Sequence, residues 1–286
     1  MRSNTTVPRH VQEAKQTARR AATNKWVALL ARLGYAVKGV VYVIIGWLAA
    51  MLAVGHGGTT TDQRGALTTI SGQPFGKFLL VIVTIGLFGY ALWSIIQAIF
   101  DTEGEGRDAK GIIARIGYAA VGIAYGALAF GAYQLVAGSG SAGKSSTSST
   151  QDWTARLLHL PFGVALVVIV GLVVLGIAGY LFYKKAYKAD FKRHLSLTGL
   201  NESMRKGAVF AGRFGYAALA VVFTIVGIFL IVAAVQHNPG EAKGLDSALA
   251  ELASQPFGPI LLGIVALGLI AYGIYSFVEA RYRKVG

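Results

Sequence analysis

The sequence predicts an all-α integral membrane protein: six transmembrane helices, paired as three parallel helical hairpins around a pseudo-three-fold axis. Three observations carry that reading. The 286-residue chain is 54% hydrophobic and only 14% charged, against about 25% charged residues in soluble domains. Its charge is missing from six apolar runs, near 33–54, 78–100, 116–137, 162–183, 214–235 and 257–278, each long enough for the ~20 helical residues that cross a bilayer. Two short signatures recur along the chain, RLGY, RIGY and RFGY at 32–35, 115–118 and 213–216, then QPFG, LPFG and QPFG at 73–76, 160–163 and 255–258.

The elements follow in order. Residues 1–29, with HVQEAKQTARRAATNKW among them, form a basic tail. The run after it is too long for the apolar core of a cleavable signal, so it is expected to stay as a membrane anchor. Repeat one covers 30–101 and repeat two 114–188; a basic linker fills 189–211, and repeat three with a short tail ends the chain at 212–286. Each repeat reads as helix, outer loop, PFG, helix. Two crossings per repeat make all three run the same way, about an axis along the membrane normal. The stretches RGALTTI (64–70), TARLLHL (154–160) and LDSALAELA (245–253) predict short amphipathic helices at the outer interface. AGSGSAGKSSTSST (137–150) reads as a flexible linker. The proline of each PFG suits the first helical position, where its missing N–H is not needed.

The net charge of +14 is distributed by side. With the N-terminus inside, 21 Lys and Arg fall on inner segments and five on outer ones (Arg64, Lys77, Lys144, Arg156, Lys243). The outer five are balanced by Asp62, Asp152, Glu241, Asp246 and Glu251. This is the positive-inside bias. It places both termini on the inner, cytoplasmic side and makes the bilayer, through its anionic inner leaflet, the expected partner. Nucleic acid is not expected. The absence of cysteine excludes disulfides, thiolate metal sites and cysteine nucleophiles.

Within the repeat, large and small residues alternate on one helical face. Counted from the tetrapeptide Arg, position +3 is Tyr35, Tyr118 and Tyr216; +7 is Gly39, Gly122 and Ala220; +10 is Tyr42, Tyr125 and Phe223. On the second helix, counted from Pro, +19 is Trp93, Tyr180 and Tyr275, while +12 is Gly86, Val173 and Gly268. If equal depth means offsets summing to about 26 at ~1.5 Å rise per residue, the small +7 site faces the aromatic +19 site of its own hairpin. Gly39 is then expected against Trp93 and Gly122 against Tyr180, with Val41 facing lipid. Such seams suit lipid, where close packing at small residues drives association. The tetrapeptide Arg is expected to snorkel to headgroups.

ARLGYAVKGVVY (31–42), GRFGYAALAVVF (212–223) and the outer ends ALTTISGQPFGKFLL and ALAELASQPFGPILLGIVALGLIAYGIY carry a resemblance to the bacterial domain-of-unknown-function 1206 family. The resemblance runs from about residue 30 to the C-terminus. It implies a transmembrane helix pair used three times, and no activity. Family members often carry a basic residue and glycine at +6 and +7; here Lys38 and Gly39 keep the pair, while Val121 and Leu219 replace the cation in the other repeats.

No motif for chemistry stands out. His56, His159 and His237 fall on outer segments, and His10 and His194 on inner ones, without metal-ligand spacing. There is no GxSxG and no paired carboxylate helix. No catalytic residue, cofactor or metal is therefore expected. Lys38 and Glu279 are the opposite charges set in or beside apolar runs. Their offsets bring them to similar depth if helix six returns beside helix one, which leaves two readings: they close the bundle as a pair, or Lys38 snorkels to lipid phosphate and Glu279 stays in water. Three readings of function follow. One is a non-catalytic scaffold or partner subunit of the envelope, with a membrane-protein partner. A second is a passive channel or transporter for a small solute along the axis, past Gln97, Ser94 and Tyr90. A membrane enzyme acting on lipid is the third, and it lacks clustered acid, base or metal groups.

Overall fold

The computed structural model describes residues 25–102, 106, 108–138, 142–195 and 201–283. Most of the basic tail, the middle of the 101–108 loop and part of the basic linker lie outside the described residues. The chain forms α1 (Lys25–Ala53), α2 (Gln63–Ser71), α3 (Gly76–Phe100), α4 (Ala109–Val136), α5 (Ser146–Leu158), α6 (Gly163–Tyr180), α7 (Glu202–Val235), α8 (Leu245–Ser254) and α9 (Gly258–Tyr282). After α6 the winding widens to a π-helix through Tyr187, and a 3₁₀ turn follows at Asp190–His194. No strand occurs among the described residues, whose one isolated bridge joins Leu195 to Arg283. Six helices, α1, α3, α4, α6, α7 and α9, are long and apolar enough to cross a membrane.

The short helices α2, α5 and α8 cover one end of the bundle, the end of the PFG turns. Residues 146–150 of the stretch read as a flexible linker belong to α5. Ser145 caps that helix by accepting from the Ser148 N–H at 3.2 Å, so the serines that suggested flexibility act as a helix start.

The PFG turns differ from expectation. Each second helix begins at the glycine, not at the proline, and Phe75, Phe162 and Phe257 stand before it with φ of 62°, 62° and 61°. A left-handed conformation is rare for a bulky residue, and here it recurs in all three repeats. It turns the chain so sharply that a Cβ on Gly258 would lie 1.9 Å from the Ala253 carbonyl oxygen, with equally forbidding approaches at Gly76 and Gly163. Glycine is required at this place by close backbone approach.

Helix neighbours run in the order α4, α3, α1, α9, α7, α6. The first and third hairpins (α1 with α3, α7 with α9) are packed pairs, joined to each other by α1 against α9. In the second repeat α4 lies on α3 and α6 on α7, but α4 and α6 do not pack along one another. These contacts do not establish a closed three-fold ring. Gly34 meets Tyr90 and Gly215 meets Tyr272, the same contact in repeats one and three, while a Cβ on the equivalent Gly117 would meet nothing within 4 Å. The sequence offers a steric reason. Gly86 and Gly268 admit Val37 and Ala218 to the helix backbone, whereas repeat two has Val173 at that position.

The seam within a hairpin is therefore not the one expected. Gly34 facing Tyr90 and Val37 facing Gly86 put the pairing about two helical turns away from the equal-depth register. The +7 glycines face the neighbouring repeat instead: Gly39 meets Gly273 and Phe277 of α9, and Gly122 meets Ile95 and Ala91 of α3. Gly39 does not face Trp93, nor Gly122 Tyr180. Val41 is buried in the core and not directed to lipid. Tilted helices touch each neighbour at a different height, so one register cannot serve both faces of the same helix.

Candidate functional site

The buried charges lie toward the end of the bundle that carries the described termini. There α1 and α9 bring Lys38 and Glu279 together, with Nζ to Oε2 at 3.0 Å and exposures of only 3% and 1%. The other carboxylate oxygen, Oε1, accepts from Arg283 Nη1 at 2.5 Å. One carboxylate thus serves two cations. A paired and fully hydrogen-bonded charge can be buried where a single one cannot.

Tyrosines complete the cage. Lys38 Nζ lies 5.0 Å from the ring centroids of Tyr35 and Tyr272 and 5.3 Å from that of Tyr90, and it donates to the Tyr272 hydroxyl at 3.3 Å. Arg283 Cζ also lies 5.0 Å from the Tyr35 ring centroid. Aromatic faces attract cations most when both are out of water. Edge-on contacts extend the wall from Tyr125 to Tyr90 (4.6 Å), Tyr90 to Tyr35 (5.0 Å), Tyr42 to Tyr272 (4.8 Å) and Tyr272 to Tyr216 (5.3 Å). Five helices, α4, α3, α1, α9 and α7, contribute to it.

The seam residues of the sequence are distributed as follows. Tyr35, Tyr42, Tyr216, Trp93 and Tyr275 are buried, as are Gly39, Gly122 and Ala220. Tyr125 joins the wall through Tyr90, while Phe223 is half-buried on α7. Tyr118 and Tyr180 are less buried than their equivalents. Trp93 and Tyr275 are 1% exposed, but Tyr180, their equivalent in repeat two, is 48% exposed. Tyr118 is half-buried where Tyr35 and Tyr216 are buried. Ser94 and Gln97 are buried in α3, and the Ser276 hydroxyl donates to the Tyr272 carbonyl at 2.9 Å.

Two of the tetrapeptide arginines have a more specific task than snorkelling. Arg115 donates to the carbonyls of Ala98 and Ile99 at 2.7 and 2.8 Å, and Arg213 to that of Tyr187 at 2.7 Å. Both cap the end of the preceding repeat's second helix, where unpaired carbonyls and the helix dipole favour a cation. In repeat three RxGY thus joins two neighbours, Arg213 to the repeat before and Gly215 to the partner helix of its own hairpin.

At the PFG end the three short helices meet through polar groups. Asp62 caps α2 from Gly65 N–H (2.9 Å) and also accepts from the Ser146 N–H. Asp246 accepts from Ser146 Oγ (2.9 Å), Thr147 Oγ1 (2.6 Å) and Thr147 N (3.2 Å). In return, Thr147 Oγ1 and Ser146 Oγ accept from the first N–H groups of α8, Gly244 and Leu245, at 2.9 Å each. Burial would raise the Asp246 carboxyl, but the hydrogen bonds from Thr147, Ser146, the Ser247 backbone and Ser145 outweigh it and hold it below the ordinary carboxylate range. A lowered pKa stabilises the fold above the unfolded value near 4 and loses that contribution as pH falls through the folded value. Asp246→Asn is therefore expected to lower the unfolding temperature in detergent at neutral pH and to narrow its gap from native protein as pH falls below about 4. A gap independent of pH would remove the ionised Asp246 from this account.

Sequence reasoning missed Arg283, Tyr272, Ser146 and Thr147. The spacing of Glu279 and Arg283 by four on a helix was a usable signal. The capping serines were not, because their acceptor lies in another repeat. Among the described residues no group of three side chains is placed to hold a metal ion.

A family model described as Domain of Unknown Function (DUF1206) matches the chain three times, over residues 33–101, 116–188 and 214–283. The Uncharacterized protein YxxB of Bacillus subtilis (strain 168) is 37% identical over 268 residues, covering 92% of this chain and 94% of that protein. No solved structure matches.

Proposed function

The chain belongs to the DUF1206 family, and from that premise we propose that it is a non-catalytic partner subunit of the bacterial plasma membrane whose second repeat receives a transmembrane helix of another membrane protein. Its termini face the cytoplasm, in keeping with the positive-inside distribution of Lys and Arg.

The carrying observation is the bare seam of repeat two. Repeats one and three each fill this seam with their own second helix. In repeat two a Cβ on Gly117, Gly176 or Gly179 would meet nothing within 4 Å, and Tyr180 is exposed where Trp93 and Tyr275 are not. Small residues flanked by aromatics are what a helix needs for close approach in lipid. An apolar partner helix with small residues of its own fits that seam. Passage of a solute along a three-fold axis is less well supported, because α4 and α6 do not pack along one another to close a ring.

Photoreactive side chains at positions 117 and 176 test the reading in cells, since neither position has a neighbour to displace. Both are expected to give the same discrete protein adduct, and Ile260, exposed on α9, none. Lipid adducts alone at all three positions would sink the proposal.

A further inference from the structure

Helix α7 extends beyond its apolar span. Residues 202–213 project by roughly 18 Å at ~1.5 Å per residue, deeper than the headgroup layer of about 6 Å on each side of a bilayer. With the turn after α6, this extension borders an open cavity of about 740 Å³, within the ~300–1,000 Å³ of small-ligand pockets.

Its lining divides by chemistry. Arg205, Lys206 and Arg213 from α7 and Lys192 from the turn supply four cations. Val209 and Phe210 from α7, with Leu195 opposite, supply an apolar wall. The α7 residues recur at steps that keep them on one helical face. Glu202 pairs with Lys206 at 2.7 Å, leaving the lining strongly basic. The walls are anchored: Phe191 packs on Tyr216 and Tyr275 at 5.6 and 4.8 Å, and Leu195 bridges the backbone of Arg283. Phe210 is nevertheless exposed.

We propose that this cavity binds a phosphate-bearing ligand at the membrane surface. Arginine forks and lysine match phosphate oxygens in charge and geometry. Arg213 marks the border of the apolar span, so the cavity opens at headgroup level and the apolar wall suits a phosphate carried on an acyl glycerol. A soluble phosphate compound would use the same cations without that wall.

The test is a titration of purified protein in neutral detergent, read by the shift in unfolding temperature, with three probes. Short-chain phosphatidylglycerol offers phosphate and chains, glycerol 3-phosphate the phosphate alone, and short-chain diacylglycerol the chains alone. Phosphatidylglycerol is expected to bind best. Arg205→Gln with Lys192→Gln, both exposed, is expected to weaken it at least about tenfold, the scale of a lost charged hydrogen bond, with no change in stability without ligand. Lys25→Gln with Arg281→Gln removes equal charge elsewhere on the same end and is expected to leave affinity as it was. Glycerol 3-phosphate binding as tightly as the lipid would assign the site to a soluble phosphate compound. Diacylglycerol binding equally well, or a double variant that binds as native protein or no worse than the control pair, would overturn the proposal.

Discussion

Glu279→Gln is expected to destabilise the protein by about 3–5 kcal/mol, the scale on which breaking a buried ion pair is felt. The change leaves Lys38 buried at 3% exposure without its countercharge and takes the partner from Arg283 as well. Lys38→Met removes one cation but leaves Glu279 its second, so its cost should be smaller. Replacing both should cost less than the sum of the two, with a coupling of about 1–3 kcal/mol, because the double variant strands no carboxylate and only the partly accessible Arg283 loses a partner. Thermal unfolding of the four proteins in mild detergent gives the cycle. A coupling of zero would mean that α1 and α9 are held by packing alone.

Packing is tested separately at Gly39. A Cβ there would lie 2.9 Å from the Gly273 carbonyl oxygen and 3.1 Å from the Phe277 ring. The obstacle is backbone, which cannot rotate away, so Gly39→Leu should cost about 3 kcal/mol, at the upper end for overpacked sites. Gly176→Leu on α6 has nothing to displace and should stay within about 0.5 kcal/mol. It is also expected to abolish the adduct at position 117, since the added side chain would fill the bare seam. Equal destabilisation by both changes would indicate that α4 and α6 close on each other in the membrane.

The sequence was most informative where a single segment decides the outcome. A run such as 214–235 needs no tertiary context to be read as a span, because the hydrocarbon requires length, continuous apolar character and internally satisfied backbone. The repeats were legible because RxGY and PFG recur as words. Lys38 and Glu279 stood out since charge in an apolar run is costly and conspicuous.

Other features depend on the angle between helices. Which face of α1 meets α3, and which meets α9, follows from tilt, and tilt comes from the whole set of contacts. Gly39 thus belongs to the junction between repeats though it looked like a hairpin residue, and Val41 belongs to the core. Ser146 and Thr147 read as linker because their partner Asp246 is about a hundred residues away in the chain.

Taken alone, the sequence determined six spans, three repeats and their common direction, since local hydropathy and recurrent turns are properties of short segments. The tertiary structure alone decided that the second hairpin stays apart and that one carboxylate holds two cations inside a tyrosine cage. The reason is that close packing is settled jointly: a valine at one seam, Val173, changes what two otherwise equivalent helices can approach, and no periodicity within either helix records that.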